Sequence, residues 1–431
     1  MKKMLWGLAA SALVLSSCSN NEVFDEPNNG LKDPNQINFM TSTTKANSNT
    51  KEQLKGGFTV YANQSGKTAS NAWYLGPQTY KFTTAWGWDT GSAQTEWPTA
   101  GTGNYPLDFY AFYPKTATGM AVPTASVAGG VATLTAAITV QTPTVTGGLV
   151  TTNQTDYLAA KASTVAKPGN GYLALNFQHI MSKINAAIIP GFNTNVHVQA
   201  VKFQKPRTNG TFNYVGQSWD ITAAATRGVM TYMDKAIPGS PYTGDASGKV
   251  MTFTGSNVAE DATAAQPIYN AGHGNNLMLV PQILNPWVIG VTKPDVPAVD
   301  GSEAYIEVIY RVTDKDGKDL IGYTDASKAP GWTTKPSAGR PLFIKVGFPL
   351  TANWEKGKGY TYNIKLGTAD ATGGNYLEDT YYDENGEDTG IKITDGGGGT
   401  VNPGDPVSKG TIGFTVTVSD WTETTPSPII K

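Results

Sequence analysis

Cys18 is the only thiol in the chain, and His179, His197 and His273 are its only imidazoles. One thiol can form neither an intramolecular disulfide nor a cysteine-ligated metal cluster. No two histidines fall in the His-Glu-x-x-His spacing that sets two imidazoles and a carboxylate on one helical face. His179 follows Asn176-Phe177-Gln178 and, beside apolar residues, reads as a packed structural side chain. No Gly-x-Ser-x-Gly elbow, phosphate-cradling loop or dinucleotide fingerprint is present. Asp383-Glu384-Asn385-Gly386 invites a calcium-loop reading. Setting Gly386 at that loop's glycine puts Tyr381 at the first ligand position and Lys392 at the last, and neither can supply a carboxylate. An EF-hand is excluded and an irregular calcium site stays open. The expectation is a protein that is not an enzyme and uses no cofactor.

The chemistry of Cys18 is set by what precedes it. Lys2 and Lys3 are followed by an apolar run from Leu5 to Leu15 and by Leu15-Ser16-Ser17-Cys18. The run is too short to span a bilayer and suits the core of a signal peptide. Small residues before the cysteine fit a lipobox, in which the thiol takes a diacylglyceryl chain. Residues 1–17 are therefore expected to be a lipoprotein signal, and two or three acyl chains on Cys18 to anchor the protein to the outer membrane. Residues 18–35 are polar, acidic and rich in Asn and Pro, the composition of a tether. Its Glu22, Asp25 and Glu26 resemble the acidic export signals of Bacteroidetes surface lipoproteins.

With 32 basic and 34 acidic residues the chain has a net charge of −2, which gives no electrostatic footprint for nucleic acid. Charged residues make up 15% and no stretch carries sustained helical periodicity. Short β-rich runs recur between Gly, Pro and Asn clusters, which predicts an all-β protein of sandwich type. Strands are expected over Ile37 to Ser42, Gly57 to Ala62, Thr79 to Thr83, Leu107 to Tyr113, Ala174 to Phe177, Lys183 to Ile189 and Val196 to Gln204. Further strands are expected over Ala304 to Val312, Leu342 to Phe348, Tyr360 to Leu366 and Ile412 to Val418. In the last, Ile412, Phe414, Val416 and Val418 share one face, and Gly413 marks a bulge or a close backbone approach. Gly396 to Gly399 lie in a spacer in front of it. Trp73, Tyr74, Tyr80, Phe82, Trp86, Trp88 and Trp97 crowd the first third of the chain. They read as core, with an exposed sugar-stacking platform, and hence a glycan-binding surface lipoprotein, as the alternative.

Several phrases in order resemble the fimbrillin family of Bacteroidales, the subunits of type V pili. They run from Ile37-Asn38-Phe39 with Thr44-Lys45-Ala46, through Phe58-Thr59-Val60-Tyr61-Ala62 and Trp97-Pro98, to Leu107-Asp108-Phe109-Tyr110-Ala111-Phe112-Tyr113-Pro114. Asp156-Tyr157-Leu158-Ala159-Ala160, Leu175-Asn176-Phe177-Gln178-His179-Ile180-Met181-Ser182-Lys183-Ile184 and Gly359-Tyr360-Thr361-Tyr362-Asn363-Ile364 follow.

The resemblance implies two tandem transthyretin-like β-sandwiches, expected over 36–172 and 173–395, with residues 396–431 as spacer and C-terminal strand. It implies a surface-exposed subunit that polymerises with other pilus subunits and supports adhesion to a ligand on a host or bacterial surface. Assembly in such pilins proceeds by strand exchange. A protease cuts near the first strand, whose loss opens a groove, and a C-terminal strand of the next subunit fills it. Thr411 to Trp421 is the candidate donor, with Ile412, Phe414, Val416 and Val418 as its inserting side chains. The best-known members are cut after arginine, yet the first arginine here is Arg207. Any cut near the first strand must follow Lys45, Lys51 or Lys55. An uncut, lipidated subunit would be an anchor, and a cut one a stalk or tip.

Cys18→Ala is expected to abolish incorporation of a labelled fatty acid and to leave the protein unprocessed or in the periplasm. Normal surface display of the variant would remove the lipoprotein assignment.

Overall fold

In the computed structural model the described residues are 33, 35–43, 54, 56–65, 73–83, 87–89, 95–99, 105–115, 118–128, 131–146, 149–151, 154–169, 172–222, 225–234, 250–258, 264–268, 276–288, 296–297, 301–332, 339–368, 374–394, 399–407 and 411–420. Nearly every element among them is a strand, so the chain is all-β. The first third holds β1 (Asn38–Thr43), β2 (Phe58–Gln64), β3 (Trp73–Thr83), β4 (Gly87–Asp89), β5 (Leu107–Tyr113), β6 (Thr124–Ala128) and β7 (Val131–Thr139). Next come β8 (Thr144–Thr146), β9 (Leu149–Thr151), β10 (Leu158–Val165), β11 (Tyr172–His179), β12 (Ser182–Pro190), β13 (Thr194–Arg207), β14 (Asn209–Asn213), β15 (Ser218–Asp220) and β16 (Arg227–Asp234). The short strands β17 (Met251–Thr254), β18 (Gln266–Pro267), β19 (Leu277–Leu279) and β20 (Gln282–Ile283) lead to β21 (Tyr305–Asp314), β22 (Asp319–Ile321), β23 (Ile344–Pro349) and β24 (Asn353–Trp354). The chain then forms β25 (Lys358–Thr368), β26 (Asn375–Tyr376), β27 (Thr380–Tyr382), β28 (Asp388–Lys392) and β29 (Thr411–Asp420).

The first sheet has the order β1-β11-β10-β5-β2-β3-β4. Period-2 geometry sends alternate side chains to opposite faces, and β5 shows the result. Leu107, Phe109 and Ala111 enter one core with Phe58, Val60, Tyr80, Leu158, Leu175 and Phe177. Tyr110 and Phe112 enter a second core with Tyr61 and Ala159. β2 and β5 are thus buried on both faces, whereas β11 alternates between buried Leu173, Leu175 and Phe177 and exposed Ala174, Asn176 and Gln178.

Two further sheets face each other across the second core. One runs β26-β23-β21-β13-β16-β9-β8, and the other runs β18-β12-β25-β29. Val196, Val198, Phe203, Ile306, Val308, Tyr310 and Val346 from the first meet Ile184, Ile188, Tyr362, Ile364 and Leu366 from the second. The rings of Phe203 and Tyr362 touch across the gap at 5.5 Å, edge to face. Trp354 Nε1 donates to Tyr362 Oη at 2.9 Å, which gives the indole a buried partner. Burial pushes the Tyr362 phenol above its usual range, so it stays neutral.

A small sheet, β15-β14-β7-β6, joins these layers to the first sheet. Its Leu134, Ile138 and Phe212 belong to the second core, as does Tyr214 just after β14, which meets Phe112 of β5 at 5.1 Å. Across the expected boundary at 172/173 the strands interleave. β11 pairs in the first sheet, while β7 pairs with β14 and β9 with β16. The chain passes from the first sheet to the next at Ile180–Met181. There Trp219 Nε1 donates to the Ile180 carbonyl at 2.6 Å, and Gly357 N donates to the Met181 carbonyl at 2.8 Å.

Tyr362→Phe deletes the acceptor of the Trp354 indole and leaves a buried donor unpaired. The expected cost is about 1–3 kcal/mol, read from the urea unfolding midpoint. An unchanged midpoint would show that the bond contributes nothing.

Candidate functional site: the first and last strands

β1 is the edge strand of the first sheet, and the residues just before it bond to a second segment. On one side it pairs in parallel with β11, with Asn38 opposite Tyr172 and Thr43 opposite Phe177. On the other side, Ile37 N donates to the Thr95 carbonyl at 2.9 Å, and Trp97 N donates to the Asn35 carbonyl at 2.7 Å. The residues at its start therefore bridge β11 to the segment that follows β4. Ile37 and Phe39 are buried. Phe39 stands edge-on to Tyr80, Phe109 and Phe58 at 4.6, 5.8 and 6.2 Å. A parallel strand with apolar side chains at i and i+2 thus fills a slot lined by aromatic rings. Asn38 donates through Nδ2 to the Gln36 carbonyl at 3.1 Å, while its buried Oδ1 lacks a hydrogen-bond partner. Lys45, Lys51 and Lys55 lie outside the described residues, as do Cys18 and the tether. Leu54, next to Lys55, is buried in the same core.

β29 lies at the opposite end of the chain and on the edge of its sheet, paired antiparallel with β25. Phe414, Val416 and Val418 stand opposite Ile364, Tyr362 and Tyr360. Val416 is partly buried against the second core, whereas Val418 is 55% exposed. The side chains of Ile412 and Phe414 lie outside the described residues. Next to the Gly413–Lys365 pair the register shifts, because β25 carries one extra residue before Thr368 meets Thr411. Gly367, at φ +76, occupies that bulge, so the irregularity expected at Gly413 falls on its partner strand. Lys358 Nζ donates to Asp420 Oδ1 at 2.6 Å and Asn363 Nδ2 to Thr417 Oγ1 at 3.1 Å, both at the surface. Of Gly396 to Gly399 only Gly399 is described. Residues 399–407 of the expected spacer are, however, packed on the body, with Val401 and Val407 buried in the second core and Gly404 N donating to the Tyr376 carbonyl at 2.6 Å.

The other sites read from the sequence resolve as follows. His179 Nδ1 lies 2.9 Å from Asp156 Oδ2, and both side chains are buried. His197 reaches Thr252 at 2.9 Å and Thr313 at 3.3 Å, and His273 is outside the described residues. Asp383 Oδ1 accepts the backbone N–H groups of Asn385 and Glu387, which closes the acidic turn on itself. Among the described residues no three His, Cys, Asp or Glu side chains converge as metal ligands. Tyr80 and Trp97 are buried and Trp73 and Tyr74 are partly buried against the cores. The four described rings of the aromatic cluster are therefore packing residues. The side chains of Phe82, Trp86 and Trp88 are outside the described residues.

A fimbrial protein from Bacteroides vulgatus has a solved structure that superposes on this chain with a TM-score of 0.51 at 13% identity, covering 90% of this chain and 99% of that one. The fold is thus that of a fimbrial protein. The tip fimbrial protein Mfa3 from Porphyromonas gingivalis, solved with a C-terminal truncation, matches at TM-score 0.28 and 11% identity over 85% of this chain and 94% of its own. Among curated proteins none matches. The fimbrillin-like family model matches residues 43–380, and the chain belongs to that family. It is a fimbrial subunit of the cell surface, with a structural role.

The different settings of Val416 and Val418 can be tested. Val416→Asp buries a charge against the core and is expected to lower the melting midpoint of the monomer clearly. Val418→Asp is expected to stay within about 0.5 kcal/mol of wild type by urea unfolding. Equal losses at both positions would contradict the observed seating of β29.

Proposed function

We propose that the chain is a lipoprotein precursor of a type V pilus subunit that assembles by strand exchange. Its layers are read as two transthyretin-like sandwiches, and the acyl groups on Cys18 hold the precursor at the outer membrane. The observation that carries the proposal is the seating of β1. Ile37 and Phe39 are buried at its start, β1 pairs with β11, residues 35–37 just before it bond to residues 95–97, and Lys45 follows its last residue by two positions. Cleavage after Lys45, Lys51 or Lys55 separates this strand from the body.

Its departure leaves unpaired backbone groups along β11 and an apolar slot where Ile37 and Phe39 sat, a combination that recruits another strand. The donor is the last strand of a neighbouring subunit. Ile412, Phe414, Val416 and Val418 repeat at the i, i+2 spacing that Ile37 and Phe39 use, and each apolar side chain of this size contributes roughly 1.5–3 kcal/mol when buried. β29 is suited to leave its own body because it pairs on one side only and exposes Val418. A contact from one subunit's tail to the next subunit's groove is heterologous and does not close, so it builds a filament.

Assembly by two variants tests the scheme. Lys45, Lys51 and Lys55 all changed to Gln should leave a folded monomer that cannot polymerise. Deletion from Thr411 onward should leave a monomer that unfolds cooperatively and accepts a donor but cannot extend the filament. Polymers of normal length from the triple variant, by electron microscopy, would falsify the cleavage step. Loss of cooperative melting in the truncated monomer would make β29 a closing strand of its own sheet and not a donor.

A further inference from the structure

Arg207 ends β13 and Arg227 opens β16, and the ladder sets the two residues directly opposite each other. Like charges placed so across a pair of strands destabilise it, and partly buried arginines are ordinarily met by carboxylates. Neither guanidinium makes an ion pair among the described residues. Backbone oxygens orient them instead. Arg207 Nη1 donates to the Ile221 carbonyl at 3.4 Å, and Arg227 Nη1 donates to the Lys205 carbonyl at 3.0 Å. Arg207 Nε is buried and has no hydrogen-bond partner. Burial, and then the charge of Arg207, lower the pKa of Arg227, the direction expected where a cation is short of a counter-charge.

The backbone is built to hold this arrangement. Gln282 clamps Arg207 from both sides, accepting its N–H at 2.8 Å and donating to its carbonyl at 2.9 Å. Lys205 adopts φ +61, and the register of β13 shifts between Gln204 and Arg207. A bulge of this kind re-aims the residues after it and is common beside functional sites. Lys205 Nζ itself lies over the Tyr305 ring of β21, 6.0 Å from its centre. Glu307, on the neighbouring β21, is engaged through Oε2 by Gln204 at 3.0 Å.

We propose that Arg207 and Arg227 form a binding site for an oxyanion, a carboxylate or sulfate group, supplied by a free anion or by an acidic sugar. Each guanidinium commits one nitrogen to a backbone oxygen and keeps further N–H groups in a planar fork, the geometry that grips a carboxylate or sulfate in a bidentate way. A bound oxyanion would supply the missing counter-charge to both arginines together. The site lies on β13 and β16, away from β1 and β29, so it stands whether or not strand exchange is the mode of assembly.

The test is a titration of the full-length protein with sodium sulfate, acetate or glucuronate against sodium chloride at matched ionic strength, followed by thermal melting. A ligand that binds the folded state raises the midpoint in a saturable way. Sulfate also stabilises proteins by exclusion from their surface, so the readout is the difference between wild type and variant. Arg227→Gln is expected to weaken the saturable response on the order of tenfold, and Arg227→Lys, which keeps the charge but loses the fork, to fall between. In chloride Arg227→Gln should melt at or above wild type, because a repulsion has been removed. If Arg227→Gln does not fold, Arg207→Gln serves as the second variant with the same expected loss. A tighter response to glucuronate than to acetate assigns the site to an acidic sugar, and an equal response assigns it to the free anion. Oxyanion responses equal in wild type and variants, or absent from all, would overturn the proposal.

Discussion

The first sheet rests on two strands that bury both of their faces. β2 and β5 lie inside the first sheet with Phe58, Val60, Phe109 and Ala111 turned into one core and Tyr61, Tyr110 and Phe112 into the other. A strand with one wet face can alternate apolar and polar residues, but a strand between two cores must be apolar on both. Leu107-Asp108-Phe109-Tyr110-Ala111-Phe112-Tyr113 meets that demand with rings, which supply much apolar area and still leave a polar tip on the tyrosines. Because the second core continues through Tyr214 and Phe212 into the facing sheets, the first sheet is bound to the rest by packing and not through a flexible link.

β1 depends on the first of these cores. Most of what Phe39 touches is the inner face of β2, β3 and β5, so the slot is lined by the body and only filled by the strand. The last strand, like β1, ends a sheet. β29 sits on an edge, leans on one neighbour and leaves Val418 largely in water. Burial of the apolar slot is the driving force that would favour a foreign strand there over an empty groove.

Charge is sparse, and its placement is instructive. Where ionisable groups are held out of water they meet a partner: His179 with Asp156, Lys202 with Asp234, and Glu384 with Arg340. Exposed pairs such as Lys358 with Asp420 tie an edge strand down only weakly. Against that pattern, neither of the opposed arginines at the end of β13 makes an ion pair among the described residues. A fold with net charge −2 places two cations face to face and gives them backbone oxygens in place of carboxylates.

Much of the strand pattern was legible in the sequence, because period 2 writes burial directly into residue order. Leu107 to Tyr113 was delimited as found, and Ile37 to Ser42, Lys183 to Ile189 and Ile412 to Val418 lie within a residue or two of β1, β12 and β29. The strands from β6 to β9 were not read. There Thr alternates with Ala and Val, and so small a contrast in polarity carries little signal of a face. The lysines after β1 and the apolar quartet of β29 could also be named from their order alone. Alternation tells which face a side chain takes and says nothing of which strand lies beside it. The parallel pairing of β1 with β11, the crossing of β7 to β14, and the difference between Val416 and Val418 therefore came only from the tertiary structure. The meeting of Arg207 with Arg227 did too, since residues twenty positions apart become neighbours only when a bulged ladder and a buried glutamine hold their strands in one register.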